Sequence, residues 1–174
     1  KNFKNVSMGT INFENKRKAY KSSVLGLYGQ NGSGKTALIN AIQLLKLALC
    51  GKQIPNKYAD YINVDAESAT LEYEFVIHYP QDRYKVWYQF SLKKVIDELA
   101  SNLEDEVGTN MSTRVEMFDE VLAFAYESKE ERLRKAPLID TRVDGLFSPK
   151  AKLAELVGDD KDQYMDLLVT KRLT

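Results

Sequence analysis

The sequence is short of several things at once. Among 174 residues there is one cysteine, Cys50, and one histidine, His78. A single cysteine excludes an internal disulfide and any Cys-x-x-Cys metal site, and it fits a reducing compartment. Net charge is missing as well: 25 Lys and Arg balance 25 Asp and Glu. That removes the global basic field behind nonspecific nucleic-acid binding, though not a local patch. No apolar run approaches the ~20 residues of a membrane span, and no signal peptide is visible. The expectation is a cytoplasmic protein with no membrane partner. There is no internal repeat and no low-complexity segment. The chain starts at Lys1 rather than methionine, which reads as a trimmed end. What remains is ordinary for one globular domain: 44% apolar and 29% charged residues, with length enough for a core.

Against that background one stretch stands out, Gly29-Gln30-Asn31-Gly32-Ser33-Gly34-Lys35-Thr36. It follows the apolar run Val24–Tyr28 and opens into a helical pattern from Ala37 to Leu49. Strand, glycine-rich loop and helix in that order are what a P-loop, or Walker A motif, needs. Glycines let the backbone turn successive amides inward as a nest for a polyphosphate. The positive end of the following helix faces the same anion. Lys35 would reach the β- and γ-phosphates, and Thr36 would be the ligand of the nucleotide's Mg²⁺. An ordinary glycine-rich turn would not need these flanks. The cofactors implied are ATP and Mg²⁺.

Along the chain, residues 3 to 13 read as a strand burying Val6, Met8, Ile11 and Phe13. The polar loop 14 to 22 carries Lys16, Arg17, Lys18 and Lys21, read as solvated. Val24–Tyr28 is apolar on both faces and reads as a central strand. The helix from Lys35 to Cys50 is apolar nearly all round, which predicts a buried element with Gly51 as its C′ residue and Cys50 as a small buried hydrophobe. Residues 52 to 69 look irregular. Alternation over Thr70–Tyr79 and Tyr84–Leu92, joined at Pro80–Arg83, predicts an antiparallel hairpin with His78 on its wet face. Residues 93 to 113 are ambiguous. Arg114–Glu127 reads as a long strand, Leu138–Val143 as a shorter one with Pro137 at its start. Helices are expected over 148 to 157 and 159 to 173.

Hydrolysis needs more than a P-loop: an acid that holds Mg²⁺ through water, and a group that orients the attacking water. The usual acids end an apolar strand. Asp119 and Glu120 are the candidate catalytic residues, but Glu116 interrupts the apolar run and strand character continues past them. Asp105–Gly108 imitates a GTPase motif, yet no Asn-Lys-x-Asp guanine reader is present.

The loop's spelling, Gly-x-Asn-Gly-Ser-Gly-Lys-Thr followed by Ala-Leu-Ile-Asn-Ala-Ile, resembles the ABC-type ATPase heads of the RecF, SMC and OLD-like group. The opening Asn2-Phe3-Lys4-Asn5 is similar to the start of the same group. The resemblance is specific over residues 2 to 45 and is nearest to bacterial AAA-family ATP-binding proteins of phage defence or abortive infection. It implies an α/β P-loop NTPase of ABC-ATPase-head type. On that reading 1–174 is the N-terminal lobe of an incomplete head: β-hairpin, P-loop and helix over 1–51, an antiparallel β lobe over 70–147, and helices over 148–174. It assigns Gly29 and Asn31 to Thr36, with the Ala37 amide, to the phosphate cradle, and places Lys4 or Asn5 near base or ribose. Such heads dimerise around ATP and drive an effector or act on DNA. The Leu-Ser-Gly-Gly-like signature they use is absent here, so this chain alone is expected to be inactive, and an ATPase when full length and dimeric. Two other readings stay open: a self-contained P-loop kinase, and a non-catalytic nucleotide-binding assembly module. A kinase would want a parallel strand order and an arginine-rich lid, neither of which is evident.

Overall fold

The computed structural model describes residues 1–13, 26–78, 82–96, 113–127 and 132–142. Its frame is one helix, α1 (Lys35–Leu49), a 3-10 helix (Asn56–Tyr61), and four strands: β1 (Ser68–His78), β2 (Arg83–Ile96), β3 (Thr113–Glu127) and β4 (Arg132–Asp140). The strands form one antiparallel sheet in the order β1-β2-β3-β4, each neighbour in sequence also a neighbour in space. Short connections suffice for such a meander, and its contacts are local.

The β1–β2 hairpin forms for the reason its alternation suggests. Leu71, Tyr73 and Phe75 face Phe90, Tyr88 and Val86 across the ladder, while Glu72 and Glu74 fall on the other face. His78 is exposed, as expected for the wet side. Glu74 sits opposite Trp87, accepts from its indole Nε1 at 2.9 Å and pairs with Lys85 at 2.5 Å. The Lys85 ammonium holds the Glu74 carboxyl below its usual range. Both side chains are well exposed to solvent, so this pair contributes little to stability. β2 extends beyond the alternating run to Ile96, and β3 covers the long strand read from sequence.

Helix α1 has no glycine or proline inside it, and alanine and leucine dominate its composition. It ends as the sequence suggests. Gly51 takes φ 60, and the amides of Gly51 and Lys52 donate to Ala48 and Leu47 at 3.1 and 3.0 Å. That is the Schellman pattern, which satisfies the last carbonyls. Ala37 and Leu44 face the core with Phe3, Tyr58, Leu71, Phe90 and Leu92. Leu44, Phe90 and Leu92 are fully buried, each contributing about 1.5–3 kcal/mol by leaving water.

Several expectations need correction. α1 is not buried all round: Ile39, Ile42 and Leu49 lie on a solvent-facing side, because only one side meets the sheet. Cys50, at the helix C-cap, is exposed rather than buried. Gly26–Gln30, the described part of the expected central strand and the loop's first residues, is neither extended into a ladder nor covered, and Tyr28 is 96% exposed. A strand needs a hydrogen-bonded neighbour, and all four described strands pair among themselves. Residues 3–13 form no strand either. Phe3 makes isolated bridges to Val6 and Ile62 instead, so residues 3–6 form a tight turn, with the Lys4 amide donating to Tyr61 of the 3-10 helix. β4 begins earlier than read, with Pro137 inside it opposite Ala123; as an edge strand it tolerates the missing amide. Residues 97–112 and the helices expected over 148–173 lie outside the described residues, as do Val24, Leu25, Val143 and the basic loop at 14–22. Among the described residues no helix is long and apolar enough to cross a membrane.

Candidate phosphate-binding site

The site grows out of the junction between Gly29 and α1. Gln30 to Ser33 close a turn, with the Ser33 amide donating to the Gln30 carbonyl at 3.2 Å. Gly32, third in that turn, has φ 88, the positive value a type II turn demands there. Gly34 is the N-cap of α1, at φ 88 and ψ 3. A Cβ on Gly34 would lie 2.7 Å from Val6 Cγ2, so two constraints, sign of φ and space, select glycine.

Leu38 donates to the Gly34 carbonyl at 3.1 Å and starts the helical ladder. The amides of Lys35, Thr36 and Ala37 precede that first bond and have no intrahelical acceptor. No side chain caps them. Together with the helix dipole they form a positive rim suited to an anion. The Ser33 amide is the exception to the expected cradle, since the turn itself uses it.

Lys35 lies back across the loop. Its ammonium donates to the Gly29 and Gln30 carbonyls at 2.7 and 2.8 Å and to Ser33 Oγ at 3.2 Å. It therefore neutralises inward carbonyls and stays within the loop, where a polyphosphate would meet it. Thr36 is exposed at the same rim. Among the described residues no cluster of three or more His, Cys, Asp or Glu could hold a metal ion, so a cation here would rest on Thr36 and the phosphates themselves. Glycines in the left-handed region, uncapped amides, an ammonium and a hydroxyl in one loop fit a Mg²⁺-nucleotide in donor set and in charge.

The N-terminal turn reaches this loop, through Asn5, at the backbone of Gly32. Asn5 Nδ2 donates to the Gly32 carbonyl. Lys4 points elsewhere, its ammonium 4.0 Å from the Tyr61 ring centroid. Asn2 takes the left-handed conformation that its residue type tolerates, with φ 55.

Asp119 and Glu120 lie in the middle of β3, away from both of its ends. Ser91 pairs with Phe118 and Gln89 with Val121, so Phe90 alone faces both acids: a β-bulge. Asp119 takes φ 52 there. Glu120 is 3% exposed; its carboxylate accepts from the Tyr88 hydroxyl at 2.7 Å, and its amide donates to Thr141 Oγ1 at 2.8 Å. Those contacts tie β2, β3 and the end of β4 together.

A profile of the AAA domain family matches residues 1–164. The chain belongs to the AAA domain family. Nucleotide binding of the ATPase type is the activity that membership brings. No curated protein and no solved structure matches the chain. This AAA domain thus carries an α1 helix and a four-stranded antiparallel sheet, clamped at the loop by an N-terminal turn.

Proposed function

We propose that Gly29, Asn31, Gly32, Ser33 (through its hydroxyl, its amide being used by the turn), Gly34, Lys35, Thr36 and Ala37 bind the triphosphate of ATP with Mg²⁺. The observation that carries this reading is the Lys35 ammonium at 2.7 and 2.8 Å from the Gly29 and Gln30 carbonyls, beside the uncapped start of α1. Lys35 would exchange those carbonyls for phosphate oxygens, a stronger charge-assisted pairing. The free amides at the helix start would take the remaining oxygens, and the Thr36 hydroxyl would hold the cation. Mg²⁺, when bound, would supply neutralisation of the phosphate charge.

The finer reading is an ABC-type head, of RecF/SMC/OLD-like or phage-defence kind, that dimerises around ATP and drives an effector protein or acts on DNA. The spelling of the loop and of Asn2–Asn5, with an antiparallel sheet following the loop helix, supports it. The structural engagement of Glu120 favours a second reading, a nucleotide-binding assembly module that does not hydrolyse ATP by itself.

The test is calorimetric titration of ATP·Mg²⁺ into the protein and its Lys35→Ala variant. Most binding is lost in the variant; undiminished affinity would refute the assignment. ATP at about 100 times its Kd should stabilise the fold by ~2.7 kcal/mol. Turnover by the isolated chain should be negligible, and robust turnover abolished by Asp119→Asn would return that residue to the catalytic role.

A further inference from the structure

We infer that Asn5 is a positioning residue of the phosphate cradle: it fastens the Gly32 carbonyl to the N-terminal turn, so that this carbonyl cannot swing toward the phosphates. The inference rests on the nucleotide reading above and adds a residue that neither the P-loop pattern nor the family match assigns to this task.

The part of the loop that Asn5 fastens is one peptide unit, Gly32–Ser33. Its carbonyl accepts from Asn5 Nδ2, and its N–H donates to the Gln30 carbonyl at 3.2 Å. Both ends of the unit are therefore engaged. Left to itself this peptide would be easily rotated, because Gly32 carries no Cβ and its φ of 88 is one of several wells open to glycine. A rotation that aimed the carbonyl into the cradle would set a partial negative charge against a polyanion. The Asn5 bond opposes that rotation at the oxygen itself.

A fastening works only if its mount is stiff, and this one is. Phe3 and Val6 exchange two backbone hydrogen bonds of 2.9 and 3.0 Å, and the Asn2 amide donates to the Ser7 carbonyl at 2.8 Å. Outside the turn, the Lys4 amide donates to the Tyr61 carbonyl at 2.6 Å, and Asn63 donates to the Asn2 carbonyl at 3.0 Å. Asn2 and Lys4 are both in the left-handed region, held there by those bonds. Phe3 is buried in the core. Val6 sits against Gly34, the other flexible position of the loop. The turn thus carries Asn5 on a frame anchored to the 3-10 helix and meets the loop at its two positive-φ glycines, Gly32 and Gly34.

The experiment titrates inorganic triphosphate and ATP, each with Mg²⁺, into the 174-residue chain and into Asn5→Ala, Asn5→Leu and Lys35→Ala. Asn5→Ala and Asn5→Leu (the latter close in shape and without a donor) are expected to lose roughly three- to tenfold in affinity for both ligands, the size of one hydrogen bond. Their melting temperatures without ligand should stay within about 2 °C of the parent, since a bond at an exposed loop contributes little to global stability. Unchanged triphosphate affinity in both variants would overturn the inference. A loss confined to ATP would also overturn it, because Asn5 would then be touching base or ribose rather than shaping the cradle. Triphosphate affinity undiminished in Lys35→Ala would instead sink the nucleotide reading, so the two failures are distinguishable.

Discussion

The Tyr73 hydroxyl donates to the main-chain carbonyl of Ala41 at 2.7 Å, joining β1 to the middle of the loop helix. The Tyr73 ring lies beside Phe90, centroids 6.1 Å apart, so one side chain both fills the core and pins α1 to it. Tyr73→Phe keeps the ring and removes the bond. Stability should drop by about 1 kcal/mol, seen as a fall of roughly 2–4 °C in melting temperature. Burial pushes the Tyr73 hydroxyl well above its ordinary pKa. The bond's contribution is therefore complete below pH ~10, where an unfolded tyrosine is still protonated, and is lost as pH rises beyond that. Denaturant unfolding from pH 8 to 11 should show a shallower decline in Tyr73→Phe than in the parent. Some decline remains, because burial also raises Tyr58.

Thr36 gives a different signature from Lys35. Its hydroxyl is assigned to the cation, so Thr36→Ala should weaken ATP binding on the order of tenfold in Mg²⁺, or ~1.4 kcal/mol. With the cation chelated, parent and variant should bind ATP alike. Titrations with and without Mg²⁺ measure the difference. Equal losses in both conditions would place Thr36 on a phosphate instead.

Glu120 should matter to folding and not to nucleotide. Glu120→Ala leaves the buried Tyr88 hydroxyl without this acceptor, at a cost of about 1–3 kcal/mol in denaturant unfolding. ATP affinity should be unchanged. A variant as stable as the parent but defective with ATP would contradict the structural role.

At Gly34 two costs can be separated. Gly34→Ala puts a methyl 2.7 Å from Val6 Cγ2 and forces alanine to φ 88. The backbone share is roughly 1–2 kcal/mol. Adding Val6→Ala removes the clash but not the strain, so the double variant should recover part of the lost ATP affinity and no more.

Residues 35–49 and the β1–β2 hairpin were legible because their signals are local. Apolar spacing, the Gly51 stop and strict alternation each depend on residues within a few positions. Long β3 was legible for the same reason. Its bulge was not, since Asp119 and Glu120 share one partner only because Phe90 on β2 must reach the core. The N-terminal stretch has the composition of a strand and folds as a turn. Val6 and Phe3 look apolar enough for a strand, yet Lys4 and Asn2 bond to Tyr61 and Asn63, far along the chain. The loop's chemistry was plain in its spelling, whereas the Asn5 contact to Gly32 and the inward fold of Lys35 are tertiary facts. The apolar look of α1 misled as well, because composition counts greasy residues without saying which of them meet a partner.

The exposed side of α1 has a calorimetric consequence. Ile39, Ile42 and Leu49 on α1 are 51, 43 and 60% exposed in the folded protein, and unfolding can hydrate only what folding had kept dry. The heat-capacity increment of melting should accordingly fall below the roughly 12–15 cal/mol/K per residue of well-covered domains, and the urea m-value should shrink with it. A smaller increment would flatten the stability curve, drawing out its warm and cold limits more gradually.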